Sequence, residues 1–179
     1  MDEIVIQSML KWPKVPSCYG WLGLNSRGDW FLRDDLVQNE GSFAQSKGSK
    51  LQHRKLIEFI NRNYQCDELG CYYFQNGPQK VYVELETAPY ILRVQNDSSI
   101  TTHTGQKFIP IQCFVDEQGR LYLQSDSALG IVHTLDMYLM VDQILNDKDR
   151  LIETSSEELE TRFKFIKSPK ETQKKASKN

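Results

Sequence analysis

The sequence has no long apolar run and no strong excess of charge of one sign. No segment approaches the ~18 consecutive apolar residues that a membrane-spanning helix needs. Its 22 basic residues are set against 24 acidic ones, which gives a formal net charge of −2. This balance provides no overall field that would attract nucleic acid or an anionic lipid surface. We therefore expect neither a nucleic-acid partner nor a membrane partner.

The first residues, MDEIVIQSMLKW, also lack the pattern of a secretory signal, because acids stand where a signal carries basic residues. Cysteine is sparse: Cys18, Cys66, Cys71 and Cys113 form none of the close pairs typical of zinc or redox motifs. We expect reduced thiols and a cytoplasmic location. Cys66 and Cys71 flank a turn at DELG, so a disulfide or half of a metal site stays open beside a role as apolar strand residues.

Histidine is scarce, and the common catalytic motifs are missing. His53, His103 and His133 lack the i, i+4 spacing of a helical metal site. There is no nucleophile elbow and no glycine-rich loop between a strand and a helix that would bind phosphate. The sequence therefore predicts no metal, no cofactor and no identifiable catalytic residue.

The residues that are present predict strands joined by tight turns. Apolar and polar residues alternate on both sides of NSRG (25–28), which is typical of a hairpin with one buried face. Residues 71–95 contain three more strand candidates, with a strong turn signal at Asn76-Gly77. A further hairpin is predicted at DEQG (116–119).

Two short amphipathic helices complete the predicted set of elements. One covers HRKLIEFINRN (53–63), and the other runs from Thr134 to about Asn146 with a wide apolar stripe. The predicted fold class is α+β, in which antiparallel hairpins and a meander combine with these two helices.

A turn pattern recurs in LNSRGDWFL and VDEQGRLYL and suggests an internal repeat. Superposing Gly28 on Gly119 aligns Asn25 with Asp116, and an apolar helix follows each copy. Asn or Asp accepts hydrogen bonds at the start of such a turn, and Gly closes it in the left-handed conformation. Because unrelated hairpins recruit the same residues, and DELGCYYF is a third instance, two interpretations stay open: duplicated hairpin-plus-helix halves, or independent turns.

The sequence predicts two halves and a tail. Residues 1–98 form an N-terminal α+β half that contains a flexible insertion loop at 38–52, rich in Ser, Gly, Gln and Lys. Residues 99–166 form a C-terminal α+β half. Residues 167–179 contain five lysines and no large apolar residue, which is typical of a disordered tail.

Three blocks, WPKVPSCYGWLGL, FQNGPQKVYVELE and THTGQ, resemble the recurring blocks of a family of uncharacterised bacterial proteins. The order of elements is similar to that of a related bacterial family of unknown function. The fold of that family contains repeated α+β motifs, and a signalling or ligand-sensing role has been suggested for it. The resemblance covers roughly residues 12–145. It implies a fold and supplies no catalytic residues.

Two groups of side chains are candidate ligand sites. Trp12, Tyr19, Trp21 and Trp30 combine apolar area with polar edges, as side chains in ligand clefts do. The alternative is a surface strap that its aromatic residues fix to the core.

Thr102, His103 and Thr104 form the second group, because two hydroxyls and an imidazole can bind an anion or another polar ligand. The alternative is a strand end at which threonines stabilise a turn. Arg93, on a strand between Leu92 and Val94, is a candidate charge partner.

These features predict a non-enzymatic cytoplasmic module that senses a small ligand or binds a protein, with the cleft between the halves as its site. One alternative is a small enzyme that uses His103, neighbouring threonine hydroxyls and Glu84. Another is a structural or oligomerising protein, for example a homodimer, whose strand edges pair between chains.

Overall fold

The computed structural model describes residues 1–140 and 151–176, which fall into two compact units. The first unit contains Met1–Asn25, Asp29–Glu86 and the C-terminal segment from Phe165. The second contains Ser26–Gly28 and Thr87–Lys164. The division therefore falls after Glu86 and not at residue 98, because the strand that follows pairs within the second unit.

The first unit is built on a six-stranded sheet with the order β3-β2-β1-β6-β5-β4. Neighbouring strands are antiparallel, except that β1 and β6 at the centre are parallel. The strands are β1 (Cys18–Leu24), β2 (Trp30–Leu32), β3 (Ser49–Lys50), β4 (Tyr64–Cys66), β5 (Tyr72–Asn76) and β6 (Gln79–Leu85).

The second unit is built on a seven-stranded sheet with the order β13-β10-β11-β12-β7-β8-β9. Its parallel pairs are β12 with β7 and β10 with β13. The strands are β7 (Tyr90–Val94), β8 (Ile100–Thr102), β9 (Lys107–Phe108), β10 (Gln112–Val115), β11 (Leu121–Gln124), β12 (Leu129–Val132) and β13 (Leu151–Glu153). With the helices below, these sheets confirm the α+β class.

Five α-helices have both ends within the described residues. They are α1 (Glu3–Lys11), α2 (Asp35–Glu40), α3 (Arg54–Arg62), α4 (Ser156–Phe163) and α5 (Pro169–Ala176). The helix predicted over 53–63 is confirmed as α3, and the His53 imidazole caps it by accepting a hydrogen bond from the Leu56 N–H at 3.2 Å. None of the described helices is long and apolar enough to cross a bilayer.

The helix predicted from Thr134 lies only partly within the described residues. Thr134–Asp136 forms a 3-10 turn, and residues 137–140 are helical. Residues 141–146 of the prediction lie outside the described residues.

The two sheets share one topology. Strands β1 to β6 correspond in order to β7 to β12, with the same antiparallel pairs and the same central parallel pair. The register agrees as well, since Cys66 pairs with Tyr72 as Val115 pairs with Leu121. The counterpart of the turn at Asp116 is therefore the turn at Asp67.

The predicted superposition of Gly28 on Gly119 joins hairpins that are not equivalent. The hairpin at Asn25 corresponds to β7 and β8, whose turn has Ser98 with a positive φ of 64° in the place of glycine. Asn25, Asp67 and Asp116 all accept a hydrogen bond from the N–H four residues later, at 2.8 to 2.9 Å. Because hairpins at non-equivalent positions make the same turn contacts, the sequence alone does not show which two hairpins correspond in the repeat.

The segment at 38–52 differs from the flexible loop that its composition predicts. The guanidinium of Arg33, which is 1% exposed, donates to the carbonyls of Gly41 at 2.8 Å and Ser46 at 3.0 Å. Phe43 and Leu51 are buried. A buried arginine thus gives the loop backbone the partners that a strand neighbour would otherwise provide.

The tail also differs from the predicted disorder, because it contains α5. Pro169 occupies the first position of this helix, where its missing N–H costs no hydrogen bond. The buried carboxylate of Glu84 accepts from the Ser168 hydroxyl at 2.5 Å and from the Lys170 N–H at 3.1 Å. Hydrogen bonds to a buried carboxylate of β6 thus hold the start of α5 in place, although this segment has little apolar surface of its own.

Candidate functional site

The candidate aromatic residues have different environments. Trp30 is 1% exposed and donates from Nε1 to the side chain of Asn61 at 2.9 Å, so it belongs to the core of the first unit. Tyr19 stacks on Tyr82 with the ring centroids 4.5 Å apart. These two residues therefore pack within the first unit, and their assignment to a ligand site stays a prediction.

Trp12 and Trp21 are surface residues, 53% and 45% exposed respectively. The ammonium of Lys11 lies 4.6 Å from the Trp12 ring centroid. A ligand role for these two indoles also stays a prediction.

The threonines of the THTG block close a turn. The Thr102 hydroxyl accepts from the Gln106 N–H at 3.1 Å and lies 2.8 Å from the Thr104 hydroxyl. The Gly105 N–H donates to the Thr102 carbonyl at 2.9 Å. Thr102 therefore does here what Asp67 and Asp116 do in their turns.

His103 follows the same strand end and serves the backbone of β7. Its Nδ1 accepts from the Ile91 N–H at 3.2 Å, and the backbone N–H of His103 donates to the Ile91 carbonyl at 2.7 Å. Burial of the imidazole lowers the pKa of His103 to about 3. The ring is therefore neutral at physiological pH, with one nitrogen already used as an acceptor.

Arg93 forms an ion pair within the second unit. Its guanidinium donates to both carboxylate oxygens of Asp136, at 2.6 and 3.1 Å. The hydrogen bond to Asp136 raises the pKa of Arg93. Asp136 is buried and also accepts from the Val94 N–H at 3.0 Å, so the pair fixes β7 to the 3-10 turn.

The cysteines are free thiols. Cys66 is exposed and pairs in register with Tyr72, whereas Cys71 is buried with Tyr73 and Tyr82 on the opposite face of the sheet. Burial raises the pKa of Cys71 to about 11, which keeps it protonated. Among the residues that the structure describes, no three His, Cys, Asp or Glu side chains are grouped to hold a metal.

A pocket of about 420 Å³ lies at the turn between β4 and β5 in the first unit. The sequence did not reveal it, because its residues come from a turn and from three strands that have no shared motif. The residues that line it are Cys66, Asp67, Glu68, Leu69, Tyr73 and Lys80.

Two charged side chains of this pocket form no ion pair with any residue that the structure describes. The Lys80 ammonium lies 4.6 Å from the Tyr73 ring centroid, and no described carboxylate is within ion-pair distance of it. Glu68 is exposed and accepts no hydrogen bond from any described residue. Opposite charges therefore line one concavity and are open to a ligand.

The carboxylate of Asp67, in contrast, accepts hydrogen bonds within the protein. Its carboxylate accepts from the N–H groups of Leu69 at 3.0 Å and Cys71 at 2.9 Å, and from the Tyr82 hydroxyl at 3.0 Å. Burial, together with the hydrogen bond to Asp67, raises the pKa of Tyr82. Asp67 shapes the turn and holds it against β6.

A protein-family model with the description "Protein of unknown function (DUF2946)" matches residues 1–177. No curated protein matches the chain. One similar solved structure is a DUF1285 family protein from Silicibacter pomeroyi DSS-3, at 15% identity, a TM-score of 0.48 and coverage of 72% of each chain. Another is a DUF1285 family protein from Shewanella baltica OS155, at 20% identity and a TM-score of 0.46 over 69% of this chain and 91% of that one.

Proposed function

The chain belongs to this DUF2946 family of proteins of unknown function, and we propose that it is a non-catalytic recognition module that binds its ligand at the pocket between β4 and β5. The observation that carries the proposal is the pair of opposite charges, Lys80 and Glu68, which lie in one concavity and form no ion pair with any described residue. Pockets of this size hold small molecules or short segments of a partner, and a few polar groups fix their orientation.

The groups that an enzyme would need here support structural roles instead. The pKa of His103 is too low for proton exchange at neutral pH, the Thr102 hydroxyl closes a turn, and Glu84 caps α5. A general base works best with a pKa near the working pH. This contrast favours binding over catalysis.

We also propose that the protein works in the cytoplasm. Its free thiols, of which Cys66 is exposed, fit a reducing compartment.

The test is a two-dimensional NMR titration of the full chain with mixtures of metabolites and short peptides. We expect at least one compound to shift the amide signals of residues 66–69, Tyr73 and Lys80, and to leave the second unit unchanged. If no compound shifts these signals, or if the shifts lie elsewhere, the pocket is not the binding site.

Lys80→Gln should weaken the binding of a ligand that carries an anionic group by about tenfold, or ~1.4 kcal/mol, because that group loses its ammonium partner in a confined site. Lys107→Gln, on β9 of the second sheet, is the matched control and should not change the affinity. Equal affinities for all three proteins would contradict the assigned role of Lys80.

A further inference from the structure

The turn that forms the pocket has a counterpart in the second unit. The equivalence of Asp67 and Asp116 makes Glu68 the counterpart of Glu117, and Cys66 that of Val115. The two copies of the motif differ in what lies beside them among the described residues.

In the second unit a peptide segment covers this position. Strand β13 runs parallel to β10, with Leu151 opposite Cys113 and Ile152 opposite Phe114. The Thr154 N–H donates to the Val115 carbonyl at 3.0 Å.

Beyond β13, the same segment reaches the acid of the turn. Ser156 donates both its N–H and its hydroxyl to the carboxylate of Glu117, each at 2.8 Å. A hydrogen bond to the backbone of Glu117 itself, together with these two hydrogen bonds from Ser156, lowers the pKa of Glu117. One segment, a strand followed by a serine, thus pairs with the edge of β10 and also binds the acidic residue of the turn, Glu117.

In the first unit the equivalent groups are present, and none of the strands that the structure describes covers them. Strand β4 is the last strand of its sheet, so no described strand pairs with its outer edge. The Asp67 N–H donates to the Cys71 carbonyl, and the alternation of a strand therefore turns the backbone groups of Cys66 away from β5. Glu68 lies beside this edge and lines the pocket.

We propose that the edge of β4 and the adjoining pocket bind an extended segment of a partner protein as an added parallel strand. Apolar residues of the segment lie along β4, and a serine or threonine that follows donates its N–H and hydroxyl to Glu68. Lys80 pairs with an acidic residue of the segment. This proposal rests on the proposed function and names the partner of that site.

Strand addition fits what is known of exposed sheet edges. Main-chain hydrogen bonds to an unpaired edge supply affinity, and side chains next to the strand supply specificity. Edges left open are otherwise a hazard for aggregation. Strand β13 of this chain is not available to that edge, because it already pairs with β10.

The probe is a synthetic peptide with the sequence LIETSSEE, which copies residues 151–158. We expect the labelled peptide to bind the full chain in fluorescence anisotropy and to shift the amide signals of residues 64–69. Ser156→Ala in the peptide should weaken binding about tenfold. Ile152→Pro should abolish it, because proline removes an N–H that faces the edge.

Glu68→Gln in the protein should also weaken the peptide about tenfold, whereas Glu117→Gln should not weaken it. Thermal melting checks that Glu68→Gln, a change at an exposed side chain, keeps the fold.

Three results would overturn the proposal. The first is equal peptide affinity in the wild type and in Glu68→Gln. The second is a set of shifts at β10, which would mean that the peptide only displaces β13. The third is a concentration-dependent dimer that the peptide dissociates, because the edge would then belong to a second copy. If the peptide fails but a metabolite binds the pocket, the proposed function stands without this partner.

Discussion

His103 illustrates how burial of one side chain links stability to pH. Its pKa is lowered from 6.5 to about 3 in the folded second unit. As the pH falls below 6.5, the unfolded chain binds a proton that the folded unit excludes. The contribution of the neutral His103 ring to the free energy of unfolding is therefore fully present above about pH 6.5 and is lost progressively towards pH 3.

We expect His103→Gln to flatten this pH dependence of the second unit, because a neutral amide binds no proton in either state. The measurement is urea unfolding at several pH values, followed by the NMR signals of β7 and β8. His53→Asn, at the exposed start of α3, is the control and should keep the slope. If the free energy of unfolding of His103→Gln still falls as steeply with pH, the pH dependence comes from other groups.

At the scale of elements, the segment from Phe165 to Ala176, called the belt below, is hydrogen-bonded to the β4–β5 turn and to the end of β6 in the first sheet. The Ile166 N–H donates to the Gly70 carbonyl at 2.9 Å, and the Leu85 N–H donates to the Lys167 carbonyl at 2.8 Å. Ile166 covers the buried Cys71. The belt therefore contacts the same β4–β5 turn that forms the pocket, and Cys71 can report its release.

We expect Ser168→Ala to speed the labelling of Cys71 by a thiol reagent about tenfold, since a hydrogen bond to a charged group contributes ~1.5–3 kcal/mol. Replacing Cys18, Cys66 and Cys113 by serine leaves Cys71 as the single reporter. Thr172→Ala, on the exposed side of α5, is the control. Unchanged labelling in Ser168→Ala would show that the Glu84 contact does not hold the belt.

At the scale of the whole molecule, one sheet topology occurs twice. The two copies differ in the contacts of the glutamate in the equivalent turn, Glu68 or Glu117. Glu117 binds Ser156, whereas Glu68 has no described partner. We expect Glu117→Gln to lower the melting temperature of the second unit and Glu68→Gln to leave that of the first unchanged. Scanning calorimetry of both variants is the measurement, and equal decreases would contradict the divergence.

The fold could be predicted from the sequence wherever local chemistry determines it. Strand alternation, the turns and α3 are confirmed because each depends on residues close together in the chain. The pairing of the repeats could not be predicted, because Asn25, Asp67 and Asp116 make the same turn contacts in hairpins of different position. Only the register of the sheets distinguishes them.

The candidate site was harder to predict, because its residues have no common motif. Glu68 lies in a turn and Lys80 is the second residue of β6, and the register of β5 with β6 brings them to one pocket. The residues chosen from the sequence were indoles and a phenol, two threonines, His103 and Arg93. Of these, Trp30 and Thr102 use their polar atoms within the protein.

The central parallel pairs, β1 with β6 and β7 with β12, set the order in which each unit can form. Each pair joins the first strand of its sheet to one that comes much later in the chain, after the hairpins between them. Hairpins close in about 1–10 μs, whereas contacts between distant segments must first overcome the entropy of closing a long loop. Both sheets should therefore close at their middle last, and this late contact limits the folding rate of each unit.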